Sequence, residues 1–471
     1  MIDTSKKIKG GILWSSASTF FRYVFQFGGL MILARMLSPH DYGLIGLLTV
    51  FIATADILVD SGLSGALVKK QNATKVDFST LTSFSVAMSA FLYALYFFIA
   101  PVVARIYDQH DVIFLLRMYS LTIIVFAFSL APKAYLVKNL EFRTLSIINV
   151  ISSFAGLVTA IIMAYNKMGA LSIVGQYLSN AIVNTGLIFA KSKYRFSLAF
   201  SKESFREQFN FGFFTTVANV FKSVSENIYN NVVGKTASME QTGCYTQSLR
   251  LMNVPVGFFF GVIDGTYFPV MSQVHEKKEF ERKIARLNEK TLTVVLLFFS
   301  VALSMNREIV YFLFGEKWMG MEYSLRMLFV AGLFITWGNL GRNIIKSIGN
   351  TVLIFKYELL FLLLSLVALF FAALWGYNAI LYSFVLVSFC KSVYINIIAS
   401  REIQMKFSSQ VYSVLPLIFF CICNVVVSCL FIKPDNPFVA LVLKTLVSVS
   451  FLFIYLFFFK RDVLKRVKKK R

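Results

Sequence analysis

Acidic residues, histidine and cysteine are scarce in this chain. It holds 24 Asp and Glu against 47 Lys and Arg in 471 positions, and charged residues amount to 15%. With 57% hydrophobic residues and a mean hydropathy of +0.69, that scarcity excludes a soluble globular domain. The three histidines, His40, His110 and His275, fall in expected loops with no ligand spacing between them. The five cysteines form no CxxC and sit mostly in apolar runs, so neither a metal site nor a disulfide framework is expected. Catalytic motifs are missing too. Gly234-Lys235-Thr236 resembles the end of a phosphate-binding loop, but Tyr229 stands where its first glycine belongs. Ser64 lies in GLSG rather than in a nucleophile elbow. Asn72-Ala73-Thr74 has the pattern of a glycosylation sequon but lies in a loop expected on the cytoplasmic side, where it reads as chance.

What the chain has is apolar length. Residues 10–37, a run interrupted near its middle by Arg22, make a rod of about 42 Å, longer than the roughly 30 Å hydrocarbon core of a bilayer. The run is too long for a signal-peptide core and reads as a retained first span. Further runs at 42–66, 79–105, 112–137, 144–165, 169–190, 209–233, 242–271, 291–314, 323–346, 357–376, 379–400, 409–432 and 436–459 bring the expectation to about 14 transmembrane helices in an all-α polytopic membrane protein. The breaks are short, the longest lying near 191–208 and 272–290, and leave no room for a soluble domain.

Lys and Arg alternate with those breaks. The N-terminus, the even-numbered loops and the C-terminus, with their flanks, hold 32 of the 47, the odd-numbered loops hold six, and nine lie within spans. By the positive-inside rule both termini are cytoplasmic. The basic tail from Lys460 to Arg471 then suits an anionic membrane leaflet rather than nucleic acid.

The chain also echoes itself. Phe21-Arg22 and the Arg35 to Gly43 stretch recur 200 positions later as Phe221-Lys222 and Lys235 to Gly243, and Leu116-Arg117-Met118 recurs as Leu325-Arg326-Met327. Such a duplication predicts two pseudo-symmetric six-helix lobes plus two C-terminal helices. The expected division is 1–194 for the N-lobe, 195–208 for an amphipathic linker, 209–405 for the C-lobe and 406–471 for the last two helices and the tail.

Charge inside the spans marks candidate function, because it is costly in hydrocarbon. Arg22, Lys222 and Arg250 are the leading candidates for lining a substrate cavity, with Arg117, Arg326 and Arg342 second; Lys391, Lys444 and Arg307 also lie within spans. Cations predominate, which predicts an anionic substrate. The acids Asp56, Asp60, Glu226 and Asp264 are candidates for coupling to an H+ or Na+ gradient, and no other cofactor is expected. Competing structural roles stand beside these: Lys222 and Glu226 can neutralise each other at i, i+4, and Arg117 can hold its lobe together. Gly257, Gly261 and Gly265, bracketed by Pro255 and Pro269, predict close helix packing or a hinge.

The stretches ILARMLSPHDYGLIGL (32–47), DSGLSGALVKK (60–70), IAPVVARIYD (99–108), APKAYLVKNLEFR (131–143), GCYTQSLRLMNVPV (243–256), FGEKW (314–318) and IIKSIGN (344–350) resemble the polysaccharide transporters of the multidrug/oligosaccharidyl-lipid/polysaccharide flippase superfamily, close to the Wzx-type flippases of lipopolysaccharide and O-antigen biosynthesis. The resemblance implies a bacterial plasma (inner) membrane location, and export of an undecaprenyl-pyrophosphate-linked oligosaccharide by alternating access. Membrane lipids surround it, and a polysaccharide polymerase and chain-length machinery are its implied partners. Helices 1, 2, 7 and 8 line the cavity in relatives, which favours Arg22, Lys222 and Arg250; Tyr23, Gln26, Asn219, Asn227, Asn230 and Asn253 are candidate sugar contacts. At Tyr229 the chain departs from relatives that carry an Asp, so that acid's role does not transfer. Other classes stay open: a membrane glycan polymerase or ligase, which generally needs a long outer loop; an ion-coupled small-molecule exporter, whose organic cations call for acid within the spans; and a non-transporting scaffold.

Overall fold

The computed structural model describes residues 28–192, 194, 199–272, 277–348, 351–403, 407–432 and 436–459, and every regular element among them is helical. Arg22, Tyr23 and Gln26 lie outside this set, as do the side chains of Lys222 and Glu226. The chain divides into two compact units, Met1–Gly243 and Cys244–Arg471.

The first unit contains α1 (28–36), α2 (Pro39–Asp60), α3 (Leu63–Lys69), α4 (Lys75–Tyr107), α5 (Asp111–Lys138), α6 (Phe142–Tyr165), α7 (Leu171–Lys191) and α8 (Lys202–Thr236). Polar breaks start these helices by capping. Ser38 and Asp41 form a reciprocal capping box at the start of α2, with Pro39 at the first helical position. Thr74 and Asp77 do the same for α4. Each box satisfies amides that the first turn leaves unpaired, and places a carboxylate at the positive end of the helix. Thr74, the last residue of the Asn72-Ala73-Thr74 pattern, is thus an N-cap. α4 packs along α5, α5 and α6 along α7, and α2 against α5 and α8. Leu136, Leu145, Ile148 and Ile188 make one buried apolar cluster between α5, α6 and α7.

α9 (Met239–Ser272) starts in the last residues of the first unit and runs into the second. The second unit continues with α10 (Lys277–Ser304), α11 (Asn306–Phe314), a 3-10 turn at Glu316–Met321, α12 (Glu322–Ile348), α13 (Thr351–Leu374), α14 (Tyr377–Glu402), α15 (Phe407–Phe431) and α16 (Pro437–Phe459). α12 and α13 pack on α14, while α10 packs on α12 and α15. Trp318, Tyr245, Phe299 and Phe314 are the largest fully buried side chains of this unit.

Among the described residues ten helices are long and apolar enough to cross a membrane. Their outward faces are apolar: Phe98, Phe154, Leu363, Phe370 and Phe371 are all exposed, as suits lipid-facing surfaces. Trp375 and Tyr165, at helix ends, are 83% and 80% exposed, the pattern of interfacial aromatic anchors. α8 and α9, 35 and 34 residues long, are long enough to span but more polar.

Four boundaries differ from the sequence expectation. The span expected at 42–66 is broken at Ser61-Gly62. The stretch expected as a linker at 195–208 is already helical from Lys202 and packs, as the start of α8, on α4. Residues 277–290, expected in a loop, open α10, and Met305 ends the helix expected to run to 314. Among the described residues nothing stands within 4 Å of where a Cβ on Gly261 would lie, so close packing is not found there.

Candidate cavity at the broken helix

The break between α2 and α3 follows from backbone conformation. Ser61 and Gly62 both adopt left-handed angles, φ 44° and 67°, a geometry glycine tolerates and other residues rarely adopt. Gly62 also lies against Gly212 of α8: a Cβ on Gly62 would stand 2.7 Å from the Gly212 Cα, and one on Gly212 would stand 2.5 Å from the Ser61 oxygen. Only two glycines let these backbones approach so closely. The break is held by hydrogen bonds. Ser61 Oγ donates to the Leu58 carbonyl, the Ser64 amide donates to Asp60 Oδ1 at 3.3 Å, and Ser85 Oγ on α4 donates to the Val59 carbonyl at 3.0 Å.

Beside the break is a cavity of about 220 Å³ lined by Asp56, Ile57, Asp60, Gly62, Phe126, Thr216 and Asn219. α2 supplies both carboxylates from one face at i, i+4, and α8 supplies the hydroxyl and the amide. Thr216 is buried, and its Oγ1 donates to the Gly212 carbonyl at 3.0 Å, tying its placement to the same glycine contact. The polar lining is thus oxygen-rich and acidic, and no cation stands among its lining residues. Oxygen donors of this kind suit a hard cation or a proton. No group of three or more His, Cys, Asp or Glu gathers as a metal site among the described residues.

The sequence-predicted residues are distributed over both units. In the first, Asp56, Asp60 and the candidate sugar contact Asn219 come together at the cavity. Asn227 donates to the Ser223 carbonyl at 2.8 Å, and Asn230 and Tyr229 are buried. Arg117 donates from Nε and Nη2 to the Phe97 carbonyl at 3.3 Å and lies 3.8 Å from the centre of the Phe97 ring, which joins α5 to α4. In the second unit, Arg250 is half-buried on α9 and Asn253 is exposed. Arg326 pairs with Glu322 one turn away at 2.7 Å, Asp264 accepts from Asn343 Nδ2 at 2.7 Å, and Arg342 faces Glu358 at 3.9 Å.

Sequence reasoning missed a clasp at the start of α8. Lys70 Nζ bridges Asp77 at 3.1 Å and Glu207 at 2.7 Å. Ser204 Oγ donates to Asp77 at 2.5 Å, Gln208 donates to the Asp77 carbonyl at 3.2 Å, and Lys138 donates to the carbonyls of Leu67 and Lys70. The Glu207 hydrogen bond, with Asp77 adding to it, holds the Lys70 ammonium above its usual range. The Thr-x-x-Asp capping pattern was the one signal that pointed to Asp77; the partners on α8 are tertiary.

Comparison with known proteins agrees with this architecture. The chain matches the family described as polysaccharide biosynthesis protein over residues 32–322. It is 24% identical over 389 residues to the teichuronic acid biosynthesis protein TuaB of Bacillus subtilis (strain 168), covering 80% of this chain and 78% of that one. It is 24% identical over 359 residues to the lipopolysaccharide biosynthesis protein WzxC of Escherichia coli (strain K12), covering 75% and 72%. A solved structure of the lipid II flippase MurJ in an inward closed conformation matches with a TM-score of 0.76 at 16% identity, over 96% of this chain and 100% of that one.

Proposed function

This chain belongs to the polysaccharide biosynthesis protein family, a multi-pass membrane protein with the helical fold of the lipid II flippase, and from that premise we propose that it flips a lipid-linked oligosaccharide. The substrate in this proposal is an undecaprenyl-pyrophosphate-linked repeat unit for O-antigen, capsule or exopolysaccharide, moved from the cytoplasmic to the outer leaflet by alternating access. The location is a bacterial inner membrane with both termini cytoplasmic, and a polysaccharide polymerase and its chain-length machinery take the product. The observation that carries it is the match to the family over residues 32–322, joined to a flippase fold that extends over 96% of the chain.

The chemistry on each side of the bilayer makes the proposal specific. A polyprenyl chain stays in lipid, since extracting it would cost about 0.8 kcal/mol per CH₂, so only the head group needs a polar route. Arg22, Lys222 and Arg250 are proposed to take the pyrophosphate. The acidic cavity at the α2–α3 break is proposed to take the coupling ion, H+ or Na+: Asp56 and Asp60 supply charge, and Thr216 and Asn219 supply neutral oxygens. Coupling requires that the cation bind one access state more tightly than the other.

The test is flipping of a fluorescent undecaprenyl-pyrophosphate oligosaccharide in proteoliposomes, with and without an imposed H+ or Na+ gradient. Native protein is expected to flip it. Arg22→Ala and Lys222→Ala are expected to abolish flipping at matched insertion, and Asp56→Asn with Asp60→Asn to remove the gradient dependence. Native protein that is folded and flips none of several glycans overturns the proposal.

A further inference from the structure

Arg342 on α12, Glu358 on α13 and Lys391 on α14 meet at one carboxylate. Lys391 Nζ lies 2.8 Å from Glu358 Oε2, and Arg342 Nε lies 3.9 Å from Glu358 Oε1. Two cations share one acid, which leaves the group with a net positive charge. All three are half-exposed, at 35%, 29% and 36% for Arg342, Glu358 and Lys391, so they are not a sealed core pair. They also lie well inside the helices. Arg342 stands six residues before the end of α12, Glu358 seven after the start of α13 and Lys391 eleven before the end of α14, which puts them about 9, 10 and 16 Å from those ends. Ionisable groups at such depth are rare unless they serve a site.

The scaffold around them is tight. A Cβ on Gly338 would stand 2.7 Å from Ser392 Oγ, and one on Gly341 would stand 3.1 Å from the Asn396 Cα, so α12 and α14 touch beside Arg342 and Lys391. Ser392 Oγ donates to the Phe334 carbonyl at 2.5 Å and Asn396 donates to the Trp337 carbonyl at 3.2 Å. An aromatic wall adjoins the charges. Lys391 Nζ lies 5.3 Å from the centre of the Tyr357 ring, the Tyr357 and Tyr394 rings stack at 6.3 Å and 6°, and Tyr357 donates to the Lys391 carbonyl at 3.3 Å. Arg342 has only its long Glu358 contact among the described ion pairs, so the planar fork of its guanidinium has donors to spend on another anion.

We propose that Arg342 and Lys391, set against the Tyr357–Tyr394 wall, form an anion-binding subsite of the second unit that takes a phosphate or carboxylate group of the transported glycolipid. The proposal rests on the flippase reading above and deepens it. The incoming anion bridges guanidinium and ammonium, Glu358 keeps the empty subsite from holding two unbalanced charges, and the exposed Tyr394 ring, backed by the buried Tyr357, receives an adjoining sugar ring. Both the pyrophosphate anchor and an acidic sugar carry the required chemistry.

Binding to the full chain in lipid nanodiscs tests this without transport. The probes are inorganic pyrophosphate and oligogalacturonate, with maltotetraose as the neutral control. Arg342→Gln is expected to weaken binding of at least one anionic probe about tenfold, the size of one charge-assisted hydrogen bond, with an unchanged thermal midpoint. Glu358→Gln is expected to tighten the same probe severalfold, because it removes the competing anion; a clamp that merely joined three helices would lose stability and gain no affinity. An effect confined to pyrophosphate assigns the subsite to the anchor, and one confined to oligogalacturonate assigns it to an acidic sugar. The proposal fails if the native protein binds neither probe, or if neither substitution changes affinity in the stated direction. Binding that responds as stated in a protein that flips nothing leaves the subsite standing and removes the transport reading; flipping with indifferent binding does the reverse.

Discussion

Gly43 at the start of α2 and Gly243 at the start of α9 meet in a reciprocal contact. A Cβ on Gly43 would overlap the Met239 carbonyl oxygen, and a Cβ on Gly243 would overlap that of Pro39. The four positions pair at the same offset of 200 that relates Arg35 to Lys235. Backbone atoms cannot turn aside as a flexible side chain can, so Gly243→Ala is expected to destabilise the protein by roughly 1–3 kcal/mol or more, the range for overpacking. Gly261→Ala, where the space is open, is the control: it is expected to be neutral or to stabilise by up to about 1 kcal/mol through helix propensity. Thermal unfolding of the two variants in one detergent decides; equal midpoints would show that the contact has no energetic weight.

The α2–α3 break makes a second prediction. Gly62→Ala must hold a side chain at φ 67° and push it against Gly212, whereas Gly65→Ala meets nothing within 4 Å. The first is expected to cost roughly 1–3 kcal/mol and the second to be neutral or mildly stabilising. Because Thr216 hangs from the Gly212 carbonyl, Gly62→Ala is also expected to lower flipping beyond its effect on stability. Flipping rates normalised to folded protein check this, and a normalised rate equal to native would detach the break from transport.

Much of this fold was legible in the chain because hydropathy and Lys/Arg placement are properties of single segments. The break at Ser61-Gly62 was not, because apolar residues flank it on both sides and a window sees one run; DSGLSG was the local sign. At the start of α8 the alternation of Phe with charge read as a surface linker. Phe205, Phe209 and Phe213 nevertheless recur at helical spacing, and their rings follow one another at 5.2 and 5.4 Å. Asp56 and Asp60 were visible as one face of one helix. The cavity's other polar residues, Thr216 and Asn219, come from α8, and only tertiary packing brings them there. Glu358 is the second residue of the span expected at 357–376, and its two cations come from α12 and α14, so only tertiary packing joins the three.

The clasp at the start of α8 predicts an unequal pair of effects. Asp77 is 4% exposed at its side chain and serves Thr74, Lys70 and Ser204 at once, so Asp77→Ala is expected to cost roughly 2–4 kcal/mol from a lost cap and lost charged hydrogen bonds. Glu207, 60% exposed, is expected to cost less than about 1 kcal/mol on replacement by Ala. The pH dependence has a definite sign. Lys70 is raised above its ordinary value of 10.5, so its contribution is complete below that value and fades as pH climbs through the higher folded one. The gap in thermal midpoint between native protein and Lys70→Met should therefore stay constant up to about pH 10 and close above it. A gap that closes on acidification within the neutral range would contradict this assignment.

Lys444 and Glu308 form the most deeply buried ion pair described, at 2.7 Å with side chains 7% and 4% exposed, and it fastens α16 to α11. Nearby, Asn424 donates to Ser300 at 2.9 Å and accepts from Ser448 at 3.1 Å, joining α15 to α10 and α16. Removing one partner of a buried pair strands the other, so Lys444→Met is expected to cost about 3–5 kcal/mol. Replacing both, as Glu308→Met with Lys444→Met, removes the desolvation penalty along with the attraction and is expected to restore stability to near native or above it. The double variant also separates two roles for a charge inside a span. If the pair only fastens the last helix, the double variant flips substrate at the native rate per folded molecule while the single variant is depleted by unfolding. A double variant that is as stable as native yet flips nothing would place Glu308 and Lys444 in the transport cycle itself.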